Sequence, residues 1–191
     1  AENGVYRVGP LGRLNAADGM ATPLAQAEYE RMYSTLGGKP VHNTLAYHWA
    51  RLIELLYASE RALELVTDPE ITSKDIKNKP GKPGEGVGIV EAARGTLIHH
   101  YQLDENALAK KVNLIVATTH NVPSICMSIK NAAKGLIRNG QVTDGILNMV
   151  EMAFRAYDPC FACATHFAIG EMPLEVEIYD SQKRLLKTLR R

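Results

Sequence analysis

The sequence predicts a mainly α fold with a small antiparallel β element. Three observations carry that prediction. Residues 42–66 hold apolar side chains at helical spacing along their whole length. Residues 121–138 and 143–157 repeat the pattern on either side of an Asn139-Gly140 break. Two runs rich in β-branched and aromatic residues, 95–103 and 112–119, are joined by a short polar stretch.

Taken in order, residues 1–20 form an entry segment punctuated by Gly4, Gly9, Gly12, Gly19 and Pro10. The first helix is expected at Thr22-Pro23: Thr22 suits an N-cap, and Pro23 suits the first helical position, whose N–H has no helical partner anyway. Leu24, Tyr29, Met32 and Tyr33 supply its apolar stripe, and Gly37-Gly38 stops it. In 42–66 the stripe is Leu45, Trp49, Leu52, Leu55, Leu56, Ala62, Leu63 and Val66, opened by Asn43 or Thr44 and limited by Pro69. A long helix with one such stripe needs a larger body to pack against. Residues 67–90, with two Pro-Gly steps in Asn78-Lys-Pro-Gly-Lys-Pro-Gly-Glu-Gly86, are expected as a loop. Gly95–Leu103 and Val112–Thr119 are expected as strands, with 104–111 a turn or short helix between them. Thr143 or Asp144 caps the helix over 143–157. Met172–Tyr179 alternates apolar and acidic side chains, a strand pattern, and 181–191 is a basic tail.

Composition narrows the function. A chain of 191 residues with 46% apolar and 23% charged side chains has the profile of one globular domain, so wholesale disorder is excluded. A net charge of +1 removes any strong electrostatic case for nucleic acid or an anionic membrane surface. The longest apolar runs, such as residues 114–117, fall far short of the roughly 18 residues of a membrane span. No basic and apolar leader is visible at Ala1–Gly4, so the three cysteines are expected as cytosolic thiols and the location as cytoplasmic.

Those cysteines sort into two groups. Cys126 lies in the apolar, helix-like stretch Val122–Ile129 and is expected as a buried, inert thiol. Cys160 and Cys163 stand in Asp158-Pro-Cys-Phe-Ala-Cys-Ala-Thr-His166. Two thiols three positions apart can face one metal ion, with His166 offering an imidazole nearby, and soft thiolates suit zinc, nickel, copper or iron–sulfur chemistry. A structural zinc site wants two further ligands, and the sequence has no second pair. A redox dithiol should open a helix after a strand, whereas this pair follows a helix and an Asp-Pro step. Spacing alone leaves metal ligation and a pair of buried thiols both open.

The motif from Asp158 to His166 resembles the C-terminal metal-binding motif of nickel–iron hydrogenase large subunits. Glu91-Ala-Ala-Arg-Gly-Thr-Leu-Ile-His-His-Tyr101 resembles the family's arginine segment. Tyr6-Arg-Val-Gly-Pro-Leu-Gly-Arg-Leu-Asn15, the helix around 42–65 and Asn113-Leu-Ile-Val-Ala-Thr-Thr-His-Asn121 also fit, in the family's order, over nearly the whole chain. The likeness is nearest to the cytosolic branch linked to deazaflavin, methyl viologen or nicotinamide carriers, including the hydrogenases of archaeal methanogenesis complexes.

The resemblance implies a role for each matching residue. Cys160 would be a terminal thiolate on nickel. Cys163 would bridge nickel to an iron carrying cyanide and carbon monoxide. Arg94 would hold its guanidinium over the metals, and Thr118 would donate its hydroxyl to an iron cyanide. His166 and the backbone carbonyl of Leu114 would bind a magnesium or iron ion beside the site. The reaction implied is reversible oxidation of dihydrogen, with electrons passed to an iron–sulfur small subunit. His99 and His100 are expected as strand histidines with satisfied rings.

The family pattern also has parts that this sequence lacks. An N-terminal CxxC pair completes the family's four thiolates, and this sequence has none. It is expected from a missing N-terminal half or a second chain. Residues 1–166 are expected as the C-terminal region of the large subunit, and 167–191 as the extension that a maturation protease removes. The alternative is a degenerate or metal-free structural subunit that docks electron-transfer partners without dihydrogen chemistry.

Overall fold

Proline opens the first two helices. α1 (Pro10–Ala16) and α2 (Pro23–Thr35) both place it in the first turn, where no helical N–H is lost. The computed structural model that shows this describes residues 4–161, 164 and 175–190. Thr22 precedes α2 as expected, but its hydroxyl donates to Glu60 Oε2 at 2.6 Å instead of capping the helix. The Glu60 carboxylate, from the next helix, takes the amides of Leu24 and Ala25 at 3.1 and 3.0 Å. α2 ends at Thr35, and Gly37 and Gly38 follow with φ of 88° and 105°.

α3 (Ala46–Thr67) is the long helix, with Asn43 Oδ1 accepting from the amide of Leu45. Its buried face differs from the expected stripe. Ala46, Tyr47, Ala50 and Ile53 enter the core, while Leu45, Leu52, Leu55, Leu63 and Val66 stay exposed. Small side chains at 46 and 50 let α3 approach α1 and α2 closely, so the leucine-rich face is turned away. The core joins Leu11 and Leu14 of α1, Tyr29, Met32 and Tyr33 of α2, and Tyr47 and Ile53 of α3 to Ile125 and Tyr157. Leu24, expected in the α2 stripe, is exposed.

Residues 67–90 are not all loop. A 3₁₀ turn occupies Pro69–Thr72, and β1 (Glu85–Ala92) begins directly after the Pro-Gly steps. Gly86 and Gly88 had diluted its strand signal. β1 pairs antiparallel with β2 (Gly95–Leu103), which pairs antiparallel with β3 (Ala109–Ile115), in the order β1-β2-β3. The expected strand over 112–119 stops at Ile115, and α4 (Ala117–Leu136) takes the rest. β-propensity at Thr118 and Thr119 yields here to tertiary contacts made by Asn121, described below. Asn139 and Gly140, with φ of 53° and 68°, turn the chain toward α5 (Asp144–Arg155). Thr143 Oγ1 accepts from the Ile146 amide, the expected cap. At the C-terminal end β4 (Glu175–Tyr179) pairs antiparallel with β5 (Leu185–Arg190), so the basic tail contains a strand. The observed architecture is mainly α with small antiparallel sheets.

Candidate metal centre

The segment before Cys160 is moored by the helical core. Tyr157 is 2% exposed, packs against the Tyr47 ring at 4.8 Å and places its hydroxyl 3.0 Å from that of Ser128. Arg51 of α3 donates to the Ala156 carbonyl at 2.9 Å. Burial pushes the Tyr47 hydroxyl up to about 12, so this aromatic contact stays neutral. Asp158 then takes φ of 51°, a left-handed conformation that few residues other than glycine and Asn/Asp accept, and it redirects the chain into Pro159 and Cys160. The Ala164 amide reaches back to the Cys160 carbonyl at 3.1 Å.

Two further elements converge on this turn. At the start of α4, Thr118 is 2% exposed, and its Oγ1 accepts from the Cys160 amide at 3.0 Å. In the β1–β2 turn, Arg94 Nε lies 3.3 Å from Asp158 Oδ2, with both side chains about half exposed (47% and 48%). Arg94, Thr118 and Cys160, separated by tens of residues in sequence, therefore meet at one place.

The turn that carries Arg94 is fixed by the N-terminal segment. Gly9 (φ 103°) and Gly95 (φ 145°) face each other: a Cβ on Gly9 would stand 3.0 Å from the Arg94 carbonyl oxygen, and one on Gly95 would stand 2.4 Å from Val8 Cγ2. Asn121, 1% exposed, grips Val8 from α4, accepting from its amide at 2.9 Å and donating to its carbonyl at 3.2 Å. The Tyr47 hydroxyl donates to the same carbonyl at 3.0 Å. Ser124 donates to the Tyr6 carbonyl, and the Tyr6 hydroxyl lies 2.6 Å from His120 Nδ1. His120 Nε2 is buried and has no hydrogen-bond partner among the described residues.

Arg13 completes the arrangement. Its guanidinium makes a bidentate pair with Glu54 at 2.6 Å and also bonds Glu91 at 2.9 Å. Burial lowers its basicity, but the hydrogen bonds and charges of Glu54 and Glu91 outweigh this and hold its pKa above the ordinary value.

The expected site residues fall as follows. Arg94, Thr118 and Cys160 come together. Leu114 lies on β3 opposite His99 and is half-buried. Cys163 and His166 lie outside the described residues. Thr118 stands on a helix terminus, not in a strand. Cys126, expected as buried, is a free and exposed thiol, because α4 turns Asn121, Ser124 and Ile125 to the interior instead. Among the described residues no group of three or more His, Cys, Asp or Glu side chains is placed to hold a metal ion. His99 and His100 are partnered, by the Tyr101 hydroxyl at 3.3 Å and Glu85 at 2.7 Å. Sequence reasoning assigned no role to Arg13, Glu54, Asn121 or His120, although all four stand in segments that match the family, 6–15, 42–65 and 113–121.

Comparison with known proteins gives the family. The family model for nickel-dependent hydrogenase matches residues 2–166. A relative from Archaeoglobus profundus, described as an iron-sulfur subunit of an F420-non-reducing hydrogenase, is 54% identical over 97% of this chain and 38% of its own length. The beta subunit of the NAD-reducing hydrogenase HoxS of Cupriavidus necator is 43% identical over 97% of this chain and 38% of its own. The crystal structure of an NAD+-reducing [NiFe]-hydrogenase in the H2-reduced state superposes with a TM-score of 0.81 at 42% identity, covering 85% of this chain and 36% of that one. The chain thus spans less than half the length of these relatives. With a matching family model over most of its residues and the fold of a nickel–iron hydrogenase subunit, the chain belongs to the nickel-dependent hydrogenase family.

Proposed function

We propose that residues 1–166 act as the C-terminal portion of a nickel–iron hydrogenase large subunit, and that 167–191 are an extension removed on maturation. The observation that carries this reading is the meeting of Arg94, Thr118 and the Cys160 turn, three segments that each match the family separately. The residues present suit a nickel–iron centre: a sulfur at Cys160, a fixed cation at Arg94 and a buried hydroxyl at Thr118 surround one turn, and thiolate is a soft donor fitted to nickel. Cys160 and Cys163 would supply two of four thiolates, with the other two from residues outside this chain. His166 and the Leu114 carbonyl would hold a magnesium or iron ion alongside. The Thr118 hydroxyl, which accepts from the Cys160 amide, keeps its proton and would donate it to a cyanide of an iron that also carries carbon monoxide.

When bound, the centre supplies the redox-active metals at which dihydrogen is split to protons and electrons. This chain's own residues do the rest. Arg94 sets a fixed positive charge beside the reacting atoms, worth more there than in water. The Cys160 sulfur, as a thiolate, is a base within the same site. Electrons would leave to an iron–sulfur partner subunit in the cytoplasm. The exposed leucine face of α3 suits coverage by the rest of the subunit, because apolar patches of this kind are rarely left bare. No described helix is long and apolar enough to cross a membrane.

Elemental analysis of the assembled, reduced complex tests the reading. About one nickel per chain, lost in Cys160→Ala, is the expected result. A stable complex without nickel, unchanged by Cys160→Ala, would show a structural subunit instead.

A further inference from the structure

We propose that Arg13 is a positioning residue for Arg94: its guanidinium clamps the β1–β2 turn and so sets where the Arg94 cation stands beside the Cys160 turn. The inference rests on the functional reading above and extends it to a residue of α1, outside the Cys160 turn.

Every face of the Arg13 fork is used. Nε and Nη2 hold the two Glu54 oxygens at 2.6 Å. Nη1 holds Glu91 Oε2 and the Ala92 carbonyl, both at 2.9 Å. Nη2 also reaches the Ala93 carbonyl at 3.0 Å. Glu54 belongs to α3, which lies in the core, whereas residues 91–93 lead directly into Arg94. The guanidinium therefore references the hairpin turn to the helical body through two consecutive peptide carbonyls adjoining Arg94.

Glu91 extends the clamp to the far side of the turn, since its second oxygen accepts from Thr96 Oγ1 at 2.5 Å. Behind the turn, Gly9 and Gly95 close the gap to the N-terminal segment. Among the described residues the Arg94 side chain has the long, half-exposed contact to Asp158 and no other ion pair. Contacts of that kind contribute little rigidity, so precision at Arg94 has to come from its backbone. Arginine alone supplies this planar set of donors; a lysine keeps the charge and loses the fork.

The test is a double-mutant cycle in the full large subunit, in complex with its iron–sulfur partners, using Arg13→Lys, Arg94→Lys and the pair. Four results are expected: nickel content unchanged in Arg13→Lys, dihydrogen oxidation per nickel lower by about 100-fold, amide hydrogen exchange faster over residues 91–96, and little added loss in the Arg94→Lys background. Equal losses in both backgrounds, or unchanged exchange at 91–96, overturn the proposal. If Arg13→Lys fails to fold, Glu91→Ala, which removes the side-chain bond of the hairpin arm and leaves the Glu54 pair and the two carbonyl bonds, is read in the same way with a smaller loss. A wild-type assembly without nickel sinks the hydrogenase reading and the catalytic half of this proposal; exchange at 91–96 then decides the clamp alone.

Discussion

Thr118 shows how one hydroxyl ties two elements together. Its Oγ1 takes the Cys160 amide at 3.0 Å from a buried position, so removing it strands an amide N–H. Thr118→Val should cost about 1–3 kcal/mol, while Thr118→Ser stays near wild type; thermal unfolding midpoints of the two variants check this. Asp158 makes the opposite case. Its ion pair with Arg94 is half exposed and worth less than about 1 kcal/mol, and asparagine tolerates the same left-handed backbone. Asp158→Asn is therefore expected to fold, keep nickel and retain dihydrogen oxidation to within about five-fold, measured per nickel in the assembled complex. At this scale the sequence was informative where a motif named the residue, as at Arg94, Thr118 and Cys160. Arg13 stood in a matching segment, but its role was not readable, because its partners Glu54 and Glu91 lie far along the chain and ion pairing across elements leaves no local spacing.

Helix starts were legible as elements because capping is local chemistry: Pro23 and Thr143 both open helices where expected. The buried face of α3 was not, since it carries apolar side chains on two sides and only the neighbouring helices decide which is covered. The switch from β3 to α4 was hidden for a similar reason, because the β-branched run through Thr119 gives no sign that Asn121 will anchor Val8. Glu60 adds a pH dependence at this scale. Burial raises its pKa, but the bonds from Thr22, Ala25 and Leu24 more than offset that, and the folded value lies below the ordinary 4.5. A depressed carboxylate contributes stability that is present above the unfolded pKa and lost as pH falls through the folded one. Glu60→Gln should therefore flatten the loss of stability on acidification below about pH 5. Denaturant midpoints measured across that range, for wild type and variant, give the comparison.

At the scale of the whole molecule, the outstanding feature is unclaimed apolar surface. Leu52, Leu55, Leu63 and Val66 are 61–66% exposed along one face of α3, and Val87, Ile89 and Val90 stand out on β1. Covering a leucine of this kind stabilises by roughly 1.5–3 kcal/mol, enough for a few of them to hold a second body in place. The chain's span of 38–40% of its curated relatives leaves ample room for that body. Leu52→Glu with Leu55→Lys should make the isolated chain less prone to self-association and weaken its co-purification with the rest of the complex; size-exclusion and pull-down measurements report the two effects. Fold class was readable from hydrophobic period, because period depends on the chain alone. What covers the outer faces was not, because that depends on residues elsewhere.

The seam between Gly9 and Gly95 has one more consequence. A methyl group at position 95 would overlap the Val8 side chain and crowd the Gly9 amide nitrogen, and the backbone that carries both is gripped from α4 and α3 at Val8. The hairpin would have to yield instead. It is the β1–β2 end of a three-stranded sheet with Arg94 at its tip, while Cys160 across the gap stays tethered to Thr118. The separation between cation and sulfur is in this sense gauged by a carbon atom that is not there, and a side chain at position 95 would reset it while the helical core stayed as it is.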